Sequence, residues 1–448
     1  MQLSEVKRVY FIGIGGIGMS ALARYFIYHG ANVSGYDRSQ TELTGQLQLE
    51  GMKIHFEDDI KQIDVAADIV IYTPAIPKNH LELNYYIDNK FPLYKRSEIL
   101  GMLSREKFTI AVGGSHGKTT VSAMTAWILK HSGYDCTAFL GGIATNFNSN
   151  FVTGENDVMI AEADEFDRSF LRLFPNITVV TAVDSDHLEI YGSQKEVEKA
   201  FIEFANRTEV GGHVIIKYGL PIISEINEKV WRYALSENSA DLYAKNYIIT
   251  LKGSEVELSN GTKYTLKYPG IHNIENSVAA ASVAHLLGIS NKKIGEALNE
   301  FKGVYRRFEM IYSDDNTIFI DDYAHHPEEI RMFLLSVREI YKGKKITAIF
   351  QPHLFTRTRD LADGFAASLD LADQIILLPI YPAREEPIEG VTSEVILNKI
   401  KNINKSILNK NELLNSIATG QFEVLCTIGA GDIDKLVAPI SETLKSRS

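Results

Sequence analysis

The stretch from Val112 to Met124 reads VGGSHGKTTVSAM and joins an apolar run, FTIAV, to a run with apolar residues at helical spacing. A strand, a glycine-rich turn and a helix are expected in that order. The unpaired N–H groups at such a helix N-terminus lie at the positive end of its dipole and suit a phosphate chain. Lys118 is then placed to reach the outer phosphates, and the hydroxyl of Thr119 to meet a magnesium ion. The loop is a shortened form, because the general pattern would require Gly at Val112 and the nearest glycines are Gly113 and Gly114. A second loop, Gly13-x-Gly15-x-x-Gly18, follows the run RVYFI, and Asp37 stands about 20 residues further on. That fingerprint selects a diphosphate on a helix N-terminus, which a nicotinamide dinucleotide and a UDP-sugar share. Nothing after Gly113 resembles a hydride-transfer site, which argues against a dehydrogenase, and this loop alone leaves either diphosphate open.

A metal site is expected beside the loop at Gly113–Thr119. Glu162 ends the run DVMIAE, and His187 lies just beyond VVTAVDSD. With Thr119 they offer a carboxylate, an imidazole and a hydroxyl around the phosphates. Magnesium prefers oxygen, so His187 is as good a hydrogen-bonding group as a ligand.

The elements that must position these residues alternate throughout. Apolar runs ending in small or polar residues are followed by helical patterns, which reads as α/β with parallel sheets and ligands at the carboxyl ends of strands. The segment KGSEVELSNGTKYTLKYPG reads as a small antiparallel excursion around an Asn-Gly turn. At 448 residues the chain exceeds a single core, and weak joints are expected near Arg105–Lys107 and Val304–Glu309. A hydrophobic content of 45% and a charged content of 23% are those of a soluble globular protein. The net charge of −11 argues against a general nucleic-acid binder. Cys136 and Cys426 are expected as buried thiols rather than a disulfide. With no apolar run of about 18 residues and no leader-like start, a cytoplasmic protein without membrane insertion is expected.

Seven stretches occur in the order GSHGKTT, EADEFDRSFL, DSDHLEIYG, PGIHNIENSVAAASVA, GVYRRFE, DDYAHHPEE and QPHLFTRTRD. Together they resemble the Mur ligases, the ATP-dependent amino-acid ligases of peptidoglycan synthesis, over nearly the whole chain. The resemblance implies three α/β domains: a Rossmann-like domain over 1–106 holding UDP-N-acetylmuramate, a P-loop ATPase domain over 107–308, and a Rossmann-like domain over 309–448 that brings in the amino acid. It implies that Gly13, Gly15, Gly16, Gly18, Asp37, Thr73 and Arg96 bind the UDP-sugar. Gly114, Ser115, His116, Gly117, Lys118, Thr119 and Thr120 would hold the ATP phosphates. His272, Asn273 and Asn276 would contact the adenine region, although Asn273 could equally cap the helix that follows it. Arg307 and Asp322 would complete the nucleotide site, and Tyr323, His325 and Arg359 would serve the amino acid and the reacting phosphates. Thr119, Glu162 and His187 would hold Mg2+, with Mn2+ able to substitute, and His325 is a candidate general base.

The implied reaction joins L-alanine to the lactyl carboxylate of UDP-N-acetylmuramate through an acyl phosphate, by a monomer or weak dimer. Attachment of a recycled murein tripeptide is the alternative within the family, and a non-catalytic ATP or UDP-sugar sensor the alternative outside it. The sequence departs from relatives at two places. Phe201 or Ile202 stands where several carry a carbamylated lysine, with Lys199 out of register, so no carbamate is expected. Leu354 stands where many have Arg.

Overall fold

The computed structural model describes residues 3–184, 188–250, 252–383 and 385–447, without the side chains of residues 188 and 189. It is a mixed α/β chain with three sheets. In the first, β1 (Arg8–Ile12), β2 (Asn32–Tyr36), β3 (Lys53–His55), β4 (Ile69–Tyr72) and β5 (Leu93–Lys95) are parallel and lie in the order β3-β2-β1-β4-β5. Alternation along β1 sends Val9 and Phe11 into one core and Tyr10 and Ile12 into another. The helix Ile17–Tyr28 contributes Leu22 and Phe26 to the first, and the helix Leu81–Asp88 contributes Leu83 and Tyr86 to the second. The strand order reverses between β1 and β4, so the loops after them face one crevice, where open α/β sheets bind ligands.

The second sheet holds β6 (Phe108–Gly113), β7 (Thr137–Ala144), β8 (Ser149–Val152), β9 (Val158–Glu162), β10 (Ile177–Val180), β11 (His213–Lys217), β12 (Lys229–Ala234) and β13 (Leu242–Thr250). Its order from β13 is β13-β12-β11-β10-β6-β9-β7-β8. β6 therefore lies between β9 and β10, which brings the ends of three strands together around the glycine turn that follows it. Behind that turn sit Phe170, Phe201 and Phe204, all fully buried, with the ring of Phe201 5.2 Å from that of Phe170. Burial of each such ring stabilises by about 2–3 kcal/mol. Lys199, on the same helix Gln194–Asn206, points to solvent and pairs with Glu196 at 2.6 Å. Further along, β14 (Gly253–Leu258) and β15 (Lys263–Leu266) flank the Asn-Gly turn, which closes by a bond from Leu258 N–H to Thr262 O of 2.9 Å.

The third sheet, β16 (Glu309–Ser313), β17 (Ile318–Asp322), β18 (Ile346–Phe350), β19 (Gln374–Leu377), β20 (Lys405–Ile407) and β21 (Val424–Ile428), has the order β16-β17-β21-β18-β19-β20. Only the β16–β17 pair within it is antiparallel. By contacts the chain forms two compact units. One comprises 1–246, 257–264 and 275–302, and contains the first sheet and the parallel core of the second; the other comprises 247–256, 265–274 and 303–448. Cys136 and Cys426 are buried free thiols.

Candidate functional site

In the first unit, the loop after β1 turns at Gly13, which has φ +90, and Gly16 caps the helix Ile17–Tyr28. Asp37 accepts the Gly15 N–H at 2.7 Å, so its carboxylate shapes the loop. A Cβ at Gly13 would lie 2.6 Å from Thr73 Cγ2, and one at Gly18 would lie 2.6 Å from Arg96 Nη1. Thr73 and Arg96, distant in sequence, thus flank the glycine loop. Arg96 also pairs with Asp164 at 3.1 Å, which links this loop to the EADE stretch beyond β9.

The loop after β6 is held by its neighbours. Ser115 Oγ accepts the Asp184 N–H at 2.8 Å, and His116 Nε2 lies 3.2 Å from Asp184 Oδ2. Gly114 and Gly117 have φ +138 and +84, a region that favours glycine. A Cβ at Gly117 would meet Asn276 Oδ1 at 2.7 Å, so Asn276 lies against the turn. Lys118, Thr119 and Thr120 then open the helix Lys118–His131. The Lys118 ammonium donates to Gly114 O at 2.7 Å and to Glu165 Oε1 at 2.9 Å. Burial opposes its charge, but the carboxylates of Glu165 and Glu162 outweigh burial and hold its pKa above the ordinary lysine value. Thr119 Oγ1 donates to Glu162 Oε1 at 3.0 Å, and Gly141 N–H donates to Glu162 Oε2 at 2.9 Å. Burial raises the Glu162 pKa, with Lys118 opposing. A hydroxyl and a carboxylate side by side at a phosphate loop are hard oxygen donors, which fit magnesium. His187 lies outside the described residues. Glu165, three residues after Glu162, is a group that the motif reading passed over; its place in EADE was visible, but not that it faces Lys118.

The second unit gathers the remaining residues around the end of β17. Asp322 Oδ2 accepts the Phe308 N–H at 2.6 Å, and Oδ1 accepts the Ala324 N–H at 2.8 Å. Burial pushes its pKa up to about 6, against the nearby Arg307 and these two N–H groups. Arg307 Nη1 lies 3.4 Å from Glu329 Oε1, and its guanidinium sits 5.2 Å from the centre of the Tyr323 ring. His325 Nδ1 is 3.1 Å from Tyr323 O and 3.4 Å from Glu329 Oε2. Glu329 also accepts the N–H groups of His325 and His326, so one carboxylate positions Arg307, His325 and the start of the helix Pro327–Ile340. Arg306, absent from the sequence-based set, is buried at φ +59, with Nε donating to Asp321 at 2.8 Å and Nη2 to Gly429 O at 2.8 Å. It ties the YRRFE stretch to β17 and to the loop after β21. Asn273 lies inside the helix Ile271–Leu286 and donates to Pro269 O. His272 is half-buried, and burial, then Arg307, lowers its pKa to about 4, so it is neutral near pH 7. Arg359 pairs with its own neighbour Asp360 at 2.6 Å and is half-exposed. Leu354 is buried with φ +70.

Three Mur ligase domain descriptions match in order. They are "Mur ligase family, catalytic domain" over 8–108, "Mur ligase middle domain" over 112–284 and "Mur ligase, glutamate ligase domain" over 306–431. The UDP-N-acetylmuramate–L-alanine ligase of Flavobacterium johnsoniae is 45% identical over 451 residues, covering 99% of each chain. That of Flavobacterium psychrophilum is 45% identical over 457 residues, covering 100% of each. Among solved structures, the UDP-N-acetylmuramate–alanine ligase of Thermotoga maritima superposes with a TM-score of 0.84 at 29% identity, covering 99% of this chain and 100% of that one. A murein peptide ligase from Psychrobacter arcticus is similar in fold, with a TM-score of 0.72 at 22% identity, covering 97% and 99%.

Proposed function

The chain belongs to the Mur ligase family, and from that premise we propose which of its residues carry the reaction. It is an ATP-dependent ligase that joins L-alanine to UDP-N-acetylmuramate in peptidoglycan precursor synthesis. The murein-tripeptide alternative is not favoured, since the full-length relatives at 42–45% identity are alanine ligases. A three-domain division at 1–106, 107–308 and 309–448 is part of the proposal, as is a cytoplasmic setting, where ATP and UDP-sugars are available. No helix among the described residues is long and apolar enough to cross a membrane.

The UDP-sugar diphosphate is assigned to the loop Gly13–Gly18, with Thr73 and Arg96 flanking it. The ATP phosphates are assigned to the turn Gly114–Thr120. The observation that carries this assignment is Arg96, which lies over Gly18 and pairs with Asp164, two residues from Glu162. A sugar bound at the first loop then presents its lactyl carboxylate toward the second. That carboxylate attacks the γ-phosphorus of ATP, ADP leaves, and an acyl phosphate forms. The uncharged amine of L-alanine adds to the acyl carbon, and the tetrahedral intermediate expels phosphate. Lys118 releases Glu165 and turns to the β/γ-phosphates, neutralising charge as it is transferred. Thr119 and Glu162 would hold Mg2+, which supplies charge neutralisation on the phosphates when bound. Asp322 and Arg307 are assigned to the nucleotide, and Tyr323, His325 and Arg359 to the amino acid. His325 is the proposed base for the alanine ammonium. Phosphate release from ATP, measured with UDP-N-acetylmuramate and each amino acid in turn, tests the assignment. Release that needs the sugar and is fastest with L-alanine supports it, and release independent of the sugar would reject it.

A further inference from the structure

A second group of ligand-type side chains lies in the first sheet domain, away from the phosphate turn. His55 ends β3, Asp58 follows it in the next turn, and His80 and Glu82 begin the helix Leu81–Asp88. One ligand atom from each of Asp58, His80 and Glu82 lies within 4.8 Å of the other two. His55 Nε2 approaches Glu82 Oε1 at 2.7 Å. From these residues we propose a zinc site: Asp58, His80 and Glu82 form its core, and His55 is the fourth ligand.

The donor set fits. Two imidazoles and two carboxylates suit zinc, whereas magnesium and calcium prefer oxygen alone. The ligands are also oriented in advance. Tyr10 OH donates to Glu82 Oε2 at 2.6 Å, and the Leu81 and Glu82 N–H groups donate to Asp58 at 2.8 and 3.1 Å. Such outer contacts fix first ligands in metal sites.

His80 supplies an independent observation. It is buried, with only 4% of its surface exposed, and its Nε2 has no hydrogen-bond partner among the described residues. Its Nδ1 faces both the Leu83 N–H at 3.4 Å and Asp58 Oδ1 at 3.2 Å. One nitrogen cannot at once accept from that N–H and donate to that carboxylate. A cation held between the imidazole and the acids takes the Nδ1 lone pair in place of that N–H, so Nδ1 faces Asp58 without a proton. Glu82 is fully buried, and without an ion its charge is met by protons from His55 and Tyr10. Zinc binding therefore requires His55 Nε2 to give up its proton, with the ring N–H then on Nδ1. Asp58 has a side chain 28% exposed and provides the way in. The ring of Tyr36 packs on His80 at 4.6 Å, and Tyr36 directly precedes Asp37, which holds the Gly15 N–H. An ion here braces the end of β2 behind the first glycine loop.

The test uses the full chain, stripped with chelator and titrated with ZnCl2 alone by calorimetry. Metal content is read by mass spectrometry after gel filtration. Wild type and Glu162→Gln, which alters the phosphate-turn carboxylate, are each expected to bind one zinc ion at this site. Asp58→Asn and His80→Gln are expected to bind it at least about tenfold more weakly. Cobalt substituted at the site should give visible absorption that both variants lose. Asp58→Asn retains an oxygen for the helix N-terminus, so it decides the matter if His80→Gln does not fold, with circular dichroism as the check. Absence of zinc from wild type would overturn the site, as would equal affinity in Asp58→Asn, either result meaning a hydrogen-bonded network only. Loss of zinc in Glu162→Gln alone would place the ion at the phosphate turn and also overturn it.

Discussion

Lys118 keeps its charge in a half-buried place because Glu165 and Glu162 face it. If Lys118 serves the ATP phosphates as proposed, the same pairing means that ATP must draw the ammonium away from Glu165 first. Lys118→Ala is expected to lower ligation by about a thousandfold or more. It should leave UDP-N-acetylmuramate affinity near normal, since that ligand is assigned to the other loop. Calorimetry of sugar binding beside a rate assay checks both halves, and equal loss of the two would mean the loops are misassigned. Glu162→Ala should weaken turnover at low magnesium and recover partly as magnesium is raised; a magnesium dependence identical to wild type would remove Glu162 from the metal. Asp322 gives a pH prediction. Its pKa is raised to about 6, mainly by burial, so the group is a carboxylate above that pH and neutral below it. If the ionised form binds the nucleotide, the KM for ATP rises as pH falls through about 6. Asp322→Asn should have a high KM with no such dependence. ATP titrations between about pH 5 and 8 read this directly.

At the scale of elements, each glycine loop is a strand end clamped by groups from other strands. A Cβ at Gly15 would lie 2.7 Å from Thr44 Cγ2 and 2.8 Å from Asp37 Oδ2, so Gly15→Val must push the loop outward, into the space assigned to diphosphate. A rise of roughly tenfold or more in the KM for UDP-N-acetylmuramate is expected, with the KM for ATP little changed. A selective effect on ATP would reverse the assignment. Gly114 combines φ +138 with a Cβ position 2.8 Å from Ala182 N, and backbone there cannot yield cheaply. Gly114→Ala is expected to cost about 2–4 kcal/mol of stability, read as a lower melting temperature. Helix starts are as specific. Glu329 completes the capping box of the helix Pro327–Ile340 and also positions Arg307, so its removal should loosen a nucleotide group and a helix end together.

For the whole molecule, the groups assigned to the reaction are divided between two compact units. Lys118, Glu162 and Arg96 belong to one, and Arg307, Asp322 and His325 to the other. If all act on one phosphate, ligand-driven domain closure is the expected outcome, as in other enzymes that exclude water from a reactive intermediate. Small-angle scattering should show a smaller radius of gyration with an ATP analogue and UDP-N-acetylmuramate than without them. An unchanged radius at saturating ligand would favour a preformed site.

What the sequence determined by itself was local. The turn Gly114–Thr120, the loop Gly13–Gly18 and the α/β alternation depend on contiguous residues, because helix N-termini, glycine conformations and strand periodicity are set within one or two turns of chain. The seven ordered motifs carried the family for the same reason. Tertiary structure decided the pairings across elements. Glu165 meets Lys118 across 47 positions, and Arg96 meets Asp164 across 68. Asp37, legible as the acid of a dinucleotide fingerprint, is engaged by the Gly15 N–H. His55, Asp58, His80 and Glu82 carry no recognisable spacing, yet the order β3-β2-β1-β4 and the helix Leu81–Asp88 collect them. Strand order and register choose which distant side chains share a face, and a hydrophobic period, which says only that a residue points inward, does not encode that choice.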